Sequence, residues 1–235
     1  MTALAPAIKL YALTSLQTRM LRASQRAPES GVYIVQDICE LPDVPDCARL
    51  RQAWQRVAER HPALRTRLEI APDNEFRQYF AACSEAPWQE LDWSDIPADS
   101  RAAELAEFLR ADQERGFAFE QSSLMRFAAI RCAEPPHLLV WTTHHVLRDG
   151  RSSNIVWREW FAFYDALGRG EELDLPPAPP YARHLAWLDC QDPAHGESHW
   201  AAMFAGFAHH SEAFVDRVRQ ASAAPETSRC SQARA

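Results

Sequence analysis

Leu138-Leu139-Val140-Trp141-Thr142-Thr143-His144-His145-Val146-Leu147-Arg148-Asp149-Gly150 is the stretch whose reading decides the fold. Its apolar and β-branched first half predicts a strand, and Asp-Gly marks a tight turn at its end. Two imidazoles are delivered to that turn, with a carboxylate just beyond them. Imidazole is the side chain best suited to move a proton near neutral pH. Strand side chains alternate faces, so His144 and His145 are expected to point opposite ways. Only one of them can then face a given pocket, and the other is held for structural reasons. Upstream, Leu124–Cys132 reads as a second long strand, joined to the first by the turn Glu134-Pro135-Pro136. So short a connection predicts an antiparallel hairpin.

Further out, strands and helices interleave. Tyr11 to Arg22 predicts a helix, with Thr14 or Ser15 as its cap. Val32 to Glu40 reads as a strand. Asp43 is expected to cap a helix that carries Pro45 in its first turn and Cys47, Leu50, Trp54, Val57 and His61 on one face. Pro62 ends it. Ala63 to Ile70 resumes as a strand, paired with Phe76 to Phe80. Residues 81 to 98 read as a loose connection, and Ser100 begins another helix with Leu105, Phe108 and Leu109 inward. After Gly150, Ser152 or Ser153 is expected to cap a helix with a stripe of Val156, Trp160, Phe163 and Leu167, closed by Gly168. Prolines stiffen 170 to 180, and Tyr181–Cys190 and Ser198–Phe207 read as a helical pair. From about Ala208 the apolar pattern fades. The pattern as a whole predicts an α/β or α+β mixed sheet layered with helices.

Composition narrows the function classes. The chain has 235 residues, 47% of them hydrophobic, enough for one large or two small domains. Net charge is −7 and no basic stripe is present, so nucleic acid is not an expected partner. No apolar run approaches the roughly 18 residues of a membrane span, and the N-terminus has no signal-peptide pattern. The six cysteines, Cys39, Cys47, Cys83, Cys132, Cys190 and Cys230, lack metal-ligand spacing and are read as reduced thiols of a cytoplasmic protein. Adjacent histidines diverge on a strand, so His144, His145 and Asp149 are not expected to hold a metal.

His144 to Gly150 forms an HHxxxDG signature, and it resembles that of the condensation domains of nonribosomal peptide synthetases, within the chloramphenicol acetyltransferase-like superfamily. Three other stretches are similar to family motifs and stand in the same order: Leu13 to Leu21, Arg60 to Leu68 (Arg-His-Pro-Ala-Leu-Arg-Thr-Arg-Leu), and Phe117 to Arg126. Ala118, Ser123 and Arg151 depart from the usual aspartate, proline and tryptophan. The resemblance implies a chloramphenicol acetyltransferase-like mixed sheet layered with helices, as a single lobe of a normally two-lobed domain. On that reading residues 1–175 are the N-terminal lobe. Residues 176–208 are a proline-rich linker and connecting helices toward a missing second lobe. Residues 209–235, including the pair His209-His210, are a disordered tail.

The resemblance also implies the chemistry. An amine on one carrier-bound group attacks the thioester of another, giving an amide and a free thiol. His145 takes the catalytic place, as general base or as the group that positions the amine. His144 and Asp149 support the loop, with Arg65 as the expected salt-bridge partner of Asp149. Gly150 supplies a backbone geometry closed to other residues, and its amide faces a developing oxyanion. Partners are peptidyl or acyl carrier domains bearing thioester-bound aminoacyl or acyl groups, and a second lobe or identical subunits. No cofactor is implied; phosphopantetheine arrives only as the substrate's tether. Two other readings stay open: a stand-alone acyl-CoA-dependent O- or N-acyltransferase working as a homo-oligomer, and a non-catalytic remnant. Trp141, Trp157 and Trp160 are expected in the core; Arg60 and Arg65 read by default as a solvated surface pair, and only the motif argues otherwise.

Overall fold

The computed structural model describes residues 9–73, 75–83, 86–120, 123–207 and 227–230. A five-stranded mixed sheet organises the first of two units. Its order is β5 (Trp88–Trp93), β6 (Met125–Cys132), β7 (His137–His144), β2 (Ile34–Leu41) and β8 (Thr227–Cys230). The hairpin is as expected: β6 and β7 are antiparallel, with Phe127 opposite Trp141. β7 also pairs antiparallel with β2, Ile34 opposite His144. Both outer strands run parallel to their neighbours. A smaller antiparallel sheet orders β1 (Tyr11–Ala12), β4 (Phe76–Phe80) and β3 (Thr66–Ile70).

Alternation along the central strands sorts the core into two layers. Leu139 and Trp141 face one side with Met125, Phe127, Ala129 and Cys39, and pack against α2 (Cys47–Arg60) and α4 (Gly150–Arg169). Leu138 and Val140 face the other with Ala128, Ile130 and Ile38, under Leu109 of α3 (Arg101–Glu114). The first layer is aromatic: Trp54 meets Phe127 at 4.7 Å and Trp160 at 5.0 Å, and Trp157 stacks on Trp160 at 5.1 Å. Trp141, Trp157 and Trp160 are therefore core, as expected. α1 (Ser15–Arg26) buries Leu21 with Leu68, Leu124 and Val146, the last from the turn after the histidines.

Several expected boundaries move. Tyr11 and Ala12 form a strand against β4, so the first helix starts at Ser15, where Thr14 and Gln17 make a capping box. The cap of α2 is Asp46 and not Asp43, because its carboxylate is the one that reaches the Arg49 amide. α4 is capped by Asp149 and closed by Gly170 in the left-handed region, in place of Ser152 or Ser153 and Gly168. The connection 81–98 contains β5, which supplies an edge to the sheet. Residues 171–180 have no regular secondary structure. α5 (Tyr181–Asp189) and α6 (Pro193–Met203) follow, and the second unit begins at Ala182. Of the tail expected to be disordered, Thr227–Cys230 is instead a strand on β2; the rest, with His209 and His210, lies outside the described residues.

Candidate active site

The end of β7 is gripped from both sides. The His144 amide donates to Leu124 O at 2.9 Å and the His145 amide to Tyr33 O at 2.7 Å. Tyr33 holds a left-handed backbone (φ 61°), an unfavourable conformation for a residue with a side chain. His145 lies just past the strand, and Asp149 opens α4, so residues 145–148 form the turn between two rigid elements.

The two imidazoles have different surroundings. His144 is 1% exposed. Its Nδ1 accepts the Val146 amide at 3.1 Å, so its proton sits on Nε2, which donates to Ser24 Oγ at 3.0 Å. Ser24 in turn donates to Val32 O at 3.1 Å. Burial, and then the neighbouring His145, push the His144 imidazole down to about 4. It is a neutral strut. A cavity of about 400 Å³ opens on this side, between Ser24, Val32, Arg115, Phe117, Phe119 and His144.

His145 is half-buried. Its Nδ1 lies 2.6 Å from the carbonyl oxygen of Arg148. A carbonyl can only accept, so Nδ1 carries the proton and Nε2 is left with its lone pair. This is the tautomer that a general base requires at Nε2.

Asp149 spends its carboxylate on the start of α4. It accepts from Ser152 N at 2.8 Å and Ser152 Oγ at 2.6 Å, and the Asp149 amide donates back to Ser152 Oγ at 2.8 Å, which completes a capping box. Those bonds, side-chain first, hold its carboxyl below the usual range. Arg65 is not its partner. The Arg65 guanidinium donates to Ala58 O at 2.8 Å, to Ala81 O, and to Ala82 O at 3.2 Å, tying α2 to the end of β4. Gly150 makes no use of glycine's conformational freedom: it sits in the first turn of α4 outside the left-handed region, and a Cβ there would meet nothing within 4 Å. Its amide is among those a helix leaves unpaired in its first turn. Arg60 is not a surface residue. It bonds Glu159 of α4 at 3.0 Å and the carbonyls of Leu175 and Pro176, while His61 takes the same carboxylate at 2.7 Å. Burial alone would raise the Glu159 carboxyl; the bonds from Arg60 and His61 outweigh it and hold it low.

The buried arginine of the motif is Arg148. Its Nη2 lies 2.9 Å from Asp37 Oδ2 on β2, close in distance but not aligned as a hydrogen bond. Nε donates to Thr143 Oγ1 at 2.8 Å and Nη1 to Ser153 Oγ. The Trp157 indole donates to the same Asp37 oxygen at 3.2 Å. Asp37 and Arg148 went unread in the sequence, although a charge on each of two otherwise apolar segments asks for a partner. Among the described residues no group of three His, Cys, Asp or Glu side chains converges as a metal site, and no helix is long and apolar enough to cross a membrane.

Known proteins carry the same arrangement of elements. The chain superposes on the starter condensation domain of the rhizomide synthetase RzmA with a TM-score of 0.74 at 24% identity, covering 87% of this chain and 49% of that one. It superposes on the first condensation domain of the calcium-dependent antibiotic synthetase with a TM-score of 0.71 at 18% identity, covering 84% and 48%. In sequence it is 35% identical over 198 residues to a linear gramicidin synthase protein of Brevibacillus parabrevis, covering 84% of this chain and 4% of that protein. Against bacitracin synthase 1 of Bacillus licheniformis the identity is 29%, covering 87% and 4%. The chain thus spans about half of each solved domain and a small part of each synthetase. The model of the condensation domain family matches residues 7–232, nearly the whole length, and with the histidine turn in place the chain belongs to the condensation domain family.

Proposed function

We propose that this chain supplies the histidine-bearing wall of a condensation site that joins a carrier-bound acyl or aminoacyl thioester to a carrier-bound amine. The observation that carries the proposal is the 2.6 Å contact between His145 Nδ1 and Arg148 O, which leaves Nε2 as an acceptor. In the reaction the amine nitrogen attacks the thioester carbonyl. A C–N bond forms and the C–S bond breaks. The amine's surplus proton passes to His145 Nε2 and from there to the departing sulfur, so the products are an amide and a thiol. No covalent enzyme intermediate is needed; alignment of two tethered substrates and one proton relay do the work. A second lobe forms the facing wall, in keeping with the half-length overlap with solved condensation domains. Family membership favours this over the acyl-CoA reading. The carrier domains, their loaded substrates and a cytoplasmic setting belong to the same proposal.

The test uses the purified chain, a second lobe supplied as a separate polypeptide, and two carrier proteins loaded with an acyl and an aminoacyl group. Amide product is read by mass spectrometry. Product is expected only with both lobes, and His145→Ala is expected to lower its rate by about 100-fold or more, the usual contribution of a general base. An undiminished rate in His145→Ala would remove His145 from the chemistry.

A further inference from the structure

One residue of the histidine turn has its main chain and its side chain committed to different tasks. The Arg148 carbonyl receives His145 Nδ1. The Arg148 guanidinium, 3% exposed, reaches three elements: Thr143 on β7, Ser153 on α4 and Asp37 on β2. It also lies over the Trp141 ring at 4.2 Å. Taking two charges out of water carries a heavy desolvation penalty, and well-packed apolar residues of the same size would often be as stable or more so. What an arginine offers beyond packing is direction: a planar fork with fixed donor angles. Here that fork sets where residue 148 sits relative to the sheet and the helix, and so where its carbonyl sits relative to His145.

We propose that Asp37 and Arg148 are positioning residues for His145, which hold the Arg148 carbonyl against Nδ1 and so keep Nε2 free of its proton. This rests on the reading of His145 as the base, but it concerns the turn itself and is observable without any transfer. Neither residue touches substrate in this scheme. Thr143 and Ser153 complete the clamp, and the Trp157 indole donates to the same Asp37 oxygen that Arg148 approaches.

The experiment is long-range proton–nitrogen NMR on the chain labelled with nitrogen-15 in its histidines, at a pH where His145 is neutral. In the wild type the His145 proton is expected on Nδ1. Arg148→Lys keeps a cation beside Asp37 but cannot reach Thr143 and Ser153 together. There the ratio of Nδ1–H to Nε2–H is expected to fall about tenfold, the shift that goes with losing roughly one net hydrogen bond. The double variant Asp37→Leu/Arg148→Met removes both charges and keeps the packing, so that no unpaired ion is left buried. It is expected to show the same redistribution with His144 unchanged. With the second lobe present, the transfer rate at saturating carriers should fall in Arg148→Lys while the half-saturating carrier concentration holds. A wild-type Nδ1–H population in Arg148→Lys overturns the proposal, whether or not the double variant folds. A shifted tautomer together with undiminished transfer supports the positioning role and rejects the chemistry assigned to His145.

Discussion

At the scale of single residues, the informative contrast lies between neighbours. His144 accepts at Nδ1 and donates at Nε2; His145 donates at Nδ1 and has Nε2 to spare. The HHxxxDG spacing singles out this turn, and the resemblance it carries implies a supporting place for the first histidine. It could not show Arg148, since a charge inside an apolar pattern does not name the strand that holds its partner, and Asp37 lies far away in sequence. For the same reason Arg65 was matched to the wrong group: a motif places residues in order, while the partner depends on the path of the 81–82 backbone. The environment of His144 gives a pH signature. Its folded value is pushed to about 4 from 6.5, so the unfolded chain takes up a proton in that interval that the folded chain refuses. Stability from this group is complete above pH 6.5 and is lost as pH falls toward 4. About 2 kcal/mol is expected to go between about pH 7.5 and 5. Urea unfolding of the wild type and His144→Asn across that range measures it as a difference in slope; parallel slopes would mean that His144 titrates like a solvated imidazole.

At the scale of elements, the hairpin β6–β7 and the strand β2 were legible because alternation and β-branched content agree over long runs. The starts of α2 and α4 were less so. Asp43 and Asp46 are both good caps, as are Asp149, Ser152 and Ser153, and the choice among them is made by where the preceding strand delivers the chain. β5 was missed because an edge strand next to Pro87, with Glu90 and Asp92 in it, carries too weak an alternation to separate from a loop. The placement of Asp149 has a direct consequence. Its carboxylate acts as a helix cap, so Asp149→Ala is expected to destabilise the chain by about 1 kcal/mol, while Asp149→Ser, also a good cap, costs a few tenths. Chemical unfolding distinguishes the two. A serine variant as damaged as the alanine variant would mean that the carboxylate has a structural partner other than Ser152.

At the scale of the molecule, the described residues of the first unit build one histidine-bearing layer. Within the second unit Trp187, Trp200, Phe204 and Phe207 are each more than half exposed, an apolar display uncommon on an isolated domain. The chain overlaps about half of each solved condensation domain; under the proposed function it brings the base and another lobe encloses it. The two adjacent histidines are expected to have opposite fates in such an assembly. That expectation is tested most directly by carbethoxylation of the folded chain near neutral pH, with and without the second lobe, each histidine being resolved by tandem mass spectrometry. His145 is expected to react at Nε2 in the chain alone and to be shielded when the second lobe is added, with His144 unreactive in both. Equal labelling of the two rings, or a His145 whose reactivity ignores the second lobe, would contradict it.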